Sequence, residues 1–238
     1  MARQVRSEAT RRRILTAAID VFGEVGYAAA GWSAIIERTG MTKGALYHHF
    51  DSKEALASAI IEEGSEKLLS AFRNVCGSSS PALENLLHGT FTIVKVLSSN
   101  EIANAAEHLI AALGGFNTAA ARFCTDLVAL VAAEARRAIS EGDLRGDVDP
   151  EVIGESIVGA IFGMRLLSNT ISGLDGNRVV GGDGIERLTR IWELLLPGMA
   201  SEASQAYFGQ FLGREAMRHA RAAATTTAVL PPERASSR

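Results

Sequence analysis

An all-α fold is predicted by three features of the sequence. Proline is scarce, with five in 238 residues. Alanine and leucine, both strong helix formers, recur throughout. Apolar residues return at helical spacing in one segment after another, and no candidate strand competes. With 47% apolar and 6% aromatic residues, the chain can bury a sizeable core, and its length suits a small domain followed by a larger one.

From Ser7 onward, Ile14, Ala17, Ala18, Val21, Phe22 and Val25 follow the spacing of a helix with one apolar face, which ends at Gly26. Gly31 to Thr39 predicts a second, short helix presenting Ile35 and Ile36. Gly40 closes it, because glycine accepts the positive φ of a tight turn. Thr42 caps a third helix, Lys43 to His49, which turns Leu46 inward and leaves Lys43, Gly44, Tyr47 and His48 outside. Asp51 or Ser52 caps a long fourth helix running to about Asn74. The break Gly77-Ser-Ser-Ser-Pro81 is followed by helices over 81–97, 100–113 and 117–141. Beyond the loop from Glu141 to Pro150, helices over 150–171 and 184–200 flank a glycine-rich stretch, and a last helix covers about 201–219. Thr225-Thr-Thr and Pro231-Pro232 predict a disordered tail. The expected domains are therefore 1–53, a three-helix helix-turn-helix unit, then 54–219, a larger helical domain, then the tail 220–238.

The net charge of −3 is unevenly distributed. Residues 1–53 hold eight Lys/Arg against five acids, and the remainder holds 16 against 22. A basic first segment on an acidic body points to a polyanionic partner for that segment alone. The N-terminus is charged, without the apolar core of an export signal. The longest apolar stretch, Ser156 to Leu167, is interrupted by Arg165 and is too short to span a bilayer. A cytoplasmic protein with no membrane partner is expected. Cys76 and Cys124 fit buried free thiols better than a disulfide framework.

Two short helices joined by a glycine turn form a helix-turn-helix. A helix entering the DNA major groove needs small or polar residues at its leading end, so that backbone and side chains reach phosphates and base edges together. Thr42, Lys43 and Gly44 supply that end, with Tyr47 and His48 one turn later. Adjacent His48 and His49 point about 100° apart and cannot readily share one ion. His88 and His108 sit on separate helices without a ligand motif, as solvated or core histidines. No phosphate loop, nucleophile elbow, paired-carboxylate arrangement, cofactor motif or metal spacing is present. The expectation is a regulator, not an enzyme, with no cofactor and no metal.

The run Thr10-Arg11, Ile14, Ala17-Ala18, Phe22, Gly26-Tyr27, Ile35, Gly40-Met41-Thr42-Lys43-Gly44-Ala45-Leu46-Tyr47-His48-His49-Phe50, Ser52-Lys53-Glu54 and Leu56 resembles the DNA-binding signature of the TetR family. The resemblance implies that Thr42, Lys43, Gly44, Tyr47 and His48 face DNA and that Lys53 contacts phosphate. Leu46, Phe50, Ile35, Phe22 and Ile14 would be core. The family's Thr or Ser cap on the second helix is replaced by Ala29-Ala30-Gly31, and Ser33 is the candidate to take over its DNA contact. Further along, Asp147-Val-Asp149, Gly163-Met-Arg165 and Ile191-Trp192 are similar to the γ-butyrolactone receptors of actinobacteria. In that branch a tryptophan enters the ligand pocket from the helix that here holds Phe123 to Ile139, and this chain has Leu127 near that place.

The resemblance implies a ligand-responsive repressor that leaves a palindromic operator when a small apolar effector binds. A single helix-turn-helix makes few contacts, so a homodimer reading two half-sites of double-stranded DNA is expected. Its interface candidates are Val152, Ser156, Gly159, Phe162, Gly163 and Leu166, with Leu188, Ile191, Trp192 and Leu195; the alternative for each is intramolecular core. The candidate effector-pocket residues are Phe91, Leu109, Phe123, Leu127 and Trp192, and again plain core is the alternative. Two competing readings stay open: a related sensor of lipids, acyl thioesters or drugs, and a helical binding protein or enzyme with a relic helix-turn-helix. The relic predicts a spoiled recognition helix, against which the intact Thr42-Lys43-Gly44 argues.

Overall fold

The computed structural model describes residues 2–77, 81–175 and 184–229. Ten helices follow one another there: α1 (Ala2–Ala29), α2 (Trp32–Thr39), α3 (Lys43–His49), α4 (Lys53–Cys76), α5 (Ala82–Ser99), α6 (Glu101–Leu113), α7 (Thr118–Ser140), α8 (Pro150–Asp175), α9 (Gly184–Met199) and α10 (Glu202–Val229). Among the described residues there is no strand, only an isolated bridge between Leu144 and Ala200. No single helix there is long and apolar enough to cross a membrane.

The chain divides into two packed units, Met1–Ala71 with Val96–Leu127, and Phe72–Lys95 with Val128–Arg238. The units do not follow the sequence division at residue 53, because α6 and the first half of α7 join the helix-turn-helix and most of α4 in the first of them.

In the first unit, Ile14, Leu15, Ala17, Ala18, Val21 and Phe22 form the buried face of α1. Gly26 breaks α1 with φ 77° and ψ 157°, a conformation that costs a residue with a Cβ dearly. Gly40 ends α2 at φ 64°, and its N–H donates to the carbonyls of Ile36 and Glu37. Asn100 caps α6 by accepting from Ala103 N at 3.1 Å. Asn117 caps α7 by accepting from Ala120 N at 3.1 Å and donates to Ser58 Oγ at 2.7 Å. At Gly64 a Cβ would lie 2.5 Å from both Ala106 Cβ and the Ile102 carbonyl oxygen, so α4 and α6 meet through this glycine's missing side chain.

In the second unit, Asp149 Oδ1 accepts from Glu151 N at 2.8 Å, and Pro150 occupies the first turn of α8, where its lack of an N–H costs nothing. Glu141, at the end of α7, accepts from Ala82 N at 2.6 Å and so caps α5 across 59 residues of sequence. The 142–149 loop is tied to the end of α9: Arg145 N donates to Met199 O at 2.9 Å and Arg145 Nη1 to Gly198 O at 3.1 Å. Trp192 is fully buried, and its indole N–H donates to Thr90 Oγ1 at 2.9 Å. Both cysteines are free, but neither is the buried thiol expected: Cys124 is exposed and Cys76 half-buried, where burial, with Glu134 nearby, pushes its thiol up to about 12.

The largest departure from the sequence expectation is α10, which runs to Val229 instead of ending near 219. Ala220, Ala222, Ala223 and Ala224 carry it past the expected boundary, since alanine is the strongest helix former. The remainder of the expected tail, from residue 230, and the glycine-rich stretch over 176–183 lie outside the described residues.

Candidate nucleic-acid interface

The helix-turn-helix is held from below by Leu46 and Ile35, both fully buried, and by Phe50. With Leu46 inward, Lys43, Gly44, Tyr47 and His48 are exposed together on α3, next to exposed Thr42. Thr42 Oγ1 accepts from Ala45 N at 3.3 Å, so the threonine sets the start of α3. Tyr47 lies against Trp32 with centroids 5.3 Å apart, and Lys43 Nζ sits 5.6 Å from the Tyr47 ring centroid. This lysine–tyrosine–tryptophan row joins the first turn of α2 to α3. Sequence reasoning passed over Trp32, whose only local signal was an aromatic residue at the start of a short helix.

Several of the N-terminal bases serve the fold. Arg38 binds both Glu24 oxygens, at 2.6 and 2.8 Å, and Asp20 at 3.4 Å, which ties α2 to α1. The Arg38 hydrogen bond holds the Glu24 carboxyl below its usual range. Arg13 donates to Thr39 O at 3.0 Å. Arg11 lies 3.8 Å from Glu63 and 5.6 Å from the Phe50 centroid. These exposed arginines are engaged with protein partners, so the net basic balance of this segment overstates the charge left for a polyanion.

Lys53 occupies a place that the sequence did not indicate. Its ammonium donates to the carbonyls of Tyr27 at 2.8 Å, Ala30 at 3.0 Å and Ala28 at 3.3 Å, and lies 4.4 Å from the Tyr27 ring centroid. An ammonium has three N–H groups, and here all three serve the carbonyl end of α1. Lys53→Met, which keeps the stem and removes the charge, is expected to cost about 2 kcal/mol in urea unfolding. The salt slope of DNA binding should remain unchanged; a slope reduced by about one would put Lys53 on a phosphate instead.

Ser33 is exposed on α2, and the helix opens at Gly31 without a side-chain cap. The five candidate effector residues are all buried: Phe91 and Trp192 in the second unit, Leu109, Phe123 and Leu127 in the first. Of the interface candidates, Leu188 and Trp192 point into the core, whereas Val152, Ser156, Gly159 and Leu166 form an exposed stripe along α8.

A family model described as bacterial regulatory proteins, tetR family, matches residues 14–60. One described as the tetracyclin repressor-like C-terminal domain matches residues 80–201. The A-factor receptor protein of Streptomyces griseus is 32% identical over 200 residues, covering 84% of this chain and 67% of that protein. A γ-butyrolactone receptor described as ArpA-like superposes with a TM-score of 0.74 at 26% identity, covering 90% of this chain and 99% of the other. CprB from Streptomyces coelicolor, solved in complex with its biological operator sequence, gives a TM-score of 0.71 at 27% identity, covering 90% and 99%. Because both parts of the chain match one family and similar proteins align with most of its length, the protein belongs to the TetR family of bacterial regulators, as a TetR-type transcriptional repressor related to the γ-butyrolactone receptors.

Proposed function

We propose that the protein binds a palindromic operator as a homodimer in the cytoplasm and is released by a small apolar effector of the γ-butyrolactone class. The observation that carries the DNA reading is the shared exposure of Thr42, Lys43, Gly44, Tyr47 and His48 above buried Leu46. In this proposal these five residues meet DNA, with Ser33 at its margin, while Lys53 positions the end of α1. Lys43→Ala should weaken operator binding and lower its salt slope by about one, as loss of one phosphate contact does. A slope unchanged by this substitution would remove Lys43 from the contact set.

The dimer proposal is supported by apolar surface on α8 and α9. Val152, Leu166, Leu167 and Leu194 are more than half exposed. Cβ atoms added at Gly159 and Gly163 would meet nothing within 4 Å, which leaves room for a second backbone. A groove of about 350 Å³ lined by Val152, Ser156, Leu194, Leu195 and Gly198 adds to the same face. The effector class rests on the similarity to γ-butyrolactone receptors, and the receiving side chains are proposed to be among Phe91, Leu109, Phe123, Leu127 and Trp192.

The test is selection of bound fragments from genomic DNA with purified protein at fixed salt. Recovery of one inverted repeat, released on adding a γ-butyrolactone, is the expected result. Recovery of only salt-sensitive, sequence-blind fragments would refute operator recognition. Specific binding that γ-butyrolactones leave intact would refute the effector class alone.

A further inference from the structure

A second cluster lies in the second unit, between α5 and α10. His88 Nδ1 is 2.6 Å from Glu215 Oε2, and His219 Nε2 is 3.6 Å from the same oxygen. The three ligand atoms all lie within 4.8 Å of one another. Glu215 and His219 are four residues apart, which places both on one face of α10. Their side chains are 1% and 7% exposed, while that of His88 is 33% exposed. His219 Nε2 is buried without a hydrogen-bond partner, an arrangement that costs free energy unless something fills it.

We propose that His88, Glu215 and His219 form a site for a divalent transition-metal ion of the zinc class, which ties α10 to α5. Two imidazoles and one carboxylate are a donor set that suits zinc and its neighbours, and three protein ligands leave a fourth tetrahedral position for water. The surroundings fit this role. Phe91 stacks on the His219 ring at 5.4 Å and fixes its plane. Arg218 holds the other carboxylate oxygen, Oε1, at 2.8 Å, which orients Oε2 toward the cluster. Calcium and magnesium take oxygen ligands, so a donor set with two imidazole nitrogens disfavours them. Tetrahedral bonds of about 2.0 Å separate donors by about 3.3 Å, so His88 must draw back slightly, and its partial exposure allows that. Glu215 and His219 stand at helical i, i+4 spacing, but the third ligand, His88, lies 127 residues from Glu215, so the set is not visible from spacing alone.

The experiment titrates metal-stripped full-length protein with Co²⁺ and follows the visible absorption of tetrahedral cobalt, then displaces it with Zn²⁺. One Co²⁺ per chain is expected, and Zn²⁺ should raise the melting midpoint by about 5 °C or more when present at a hundredfold excess over its dissociation constant. His219→Phe, which preserves the stack on Phe91, and His88→Ala, at the partly exposed position, should each weaken binding by about 100-fold or more. His108→Asn, at an exposed histidine elsewhere, should leave binding unchanged. Far-ultraviolet circular dichroism and DNA binding establish that the variants fold. Absence of stoichiometric binding in the wild type, or binding that survives both His219→Phe and His88→Ala, overturns the proposal.

Discussion

Leu194→Asp is expected to leave the protein monomeric at micromolar concentration and to lower operator affinity by about 100-fold or more. Leu194 is 80% exposed on α9 and borders the groove that Val152 and Ser156 enter from α8. In an isolated protomer the new carboxylate stays hydrated, so the melting temperature should barely change. In a twofold interface it is buried twice, once from each chain, without a cation to meet it. In the proposed dimer each protomer reads one half-site, so operator affinity is expected to fall when dimerisation is lost. Sedimentation velocity beside a gel-shift titration separates the two effects. A variant that remains dimeric with full operator affinity would show that this face is not the dimer contact.

Trp192→Ala should destabilise the protein by about 4 kcal/mol, in the range for a large aromatic removed from a closed core. The indole is fully buried and its N–H is matched to Thr90 Oγ1, which itself donates to Leu87 O at 2.7 Å. Trp192→Phe keeps most of the apolar contact and loses the hydrogen bond, for a cost of about 1–2 kcal/mol. Urea unfolding of both variants tests this ordering. A loss below about 1 kcal/mol for the alanine variant would mean that the indole borders open space, as an effector-lining residue would. A full loss with unaltered effector response would assign Trp192 to the core alone.

The helices and the recognition motif were legible because their signals are local. Ile14 to Phe22 repeat at helical spacing, Gly40 stops α2 where a positive φ is required, and Thr42 caps α3 from its own sequence. What escaped were roles set by partners distant in sequence. Lys53 reads as a surface base until the Tyr27 and Ala30 carbonyls are placed beside it. Arg38 is only one base of the basic first segment until Glu24 is seen across 14 residues. Trp32 gains its meaning only from Tyr47. The end of α10 lies beyond the expected boundary for a different reason: Ala220 and Ala222 to Ala224 extend the helix through the threonines that follow. The effector candidates were the least legible, because a buried leucine or phenylalanine has the same helical spacing whether it lines a pocket or fills a core.

The three hydrogen bonds from Lys53 have a mechanical consequence. The residue that opens α4 is also the one that closes α1, so no slack joins these two helix ends. A displacement of the first turn of α4 must either carry the end of α1 with it or break the ammonium's bonds. Arg38, through Asp20 and Glu24, binds α2 to the same α1, and the Gly40 turn leads from α2 directly into α3. The helix-turn-helix therefore takes its orientation as a block from the start of α4, and under the proposed function a shift of that helix end would reorient α3 without deforming it.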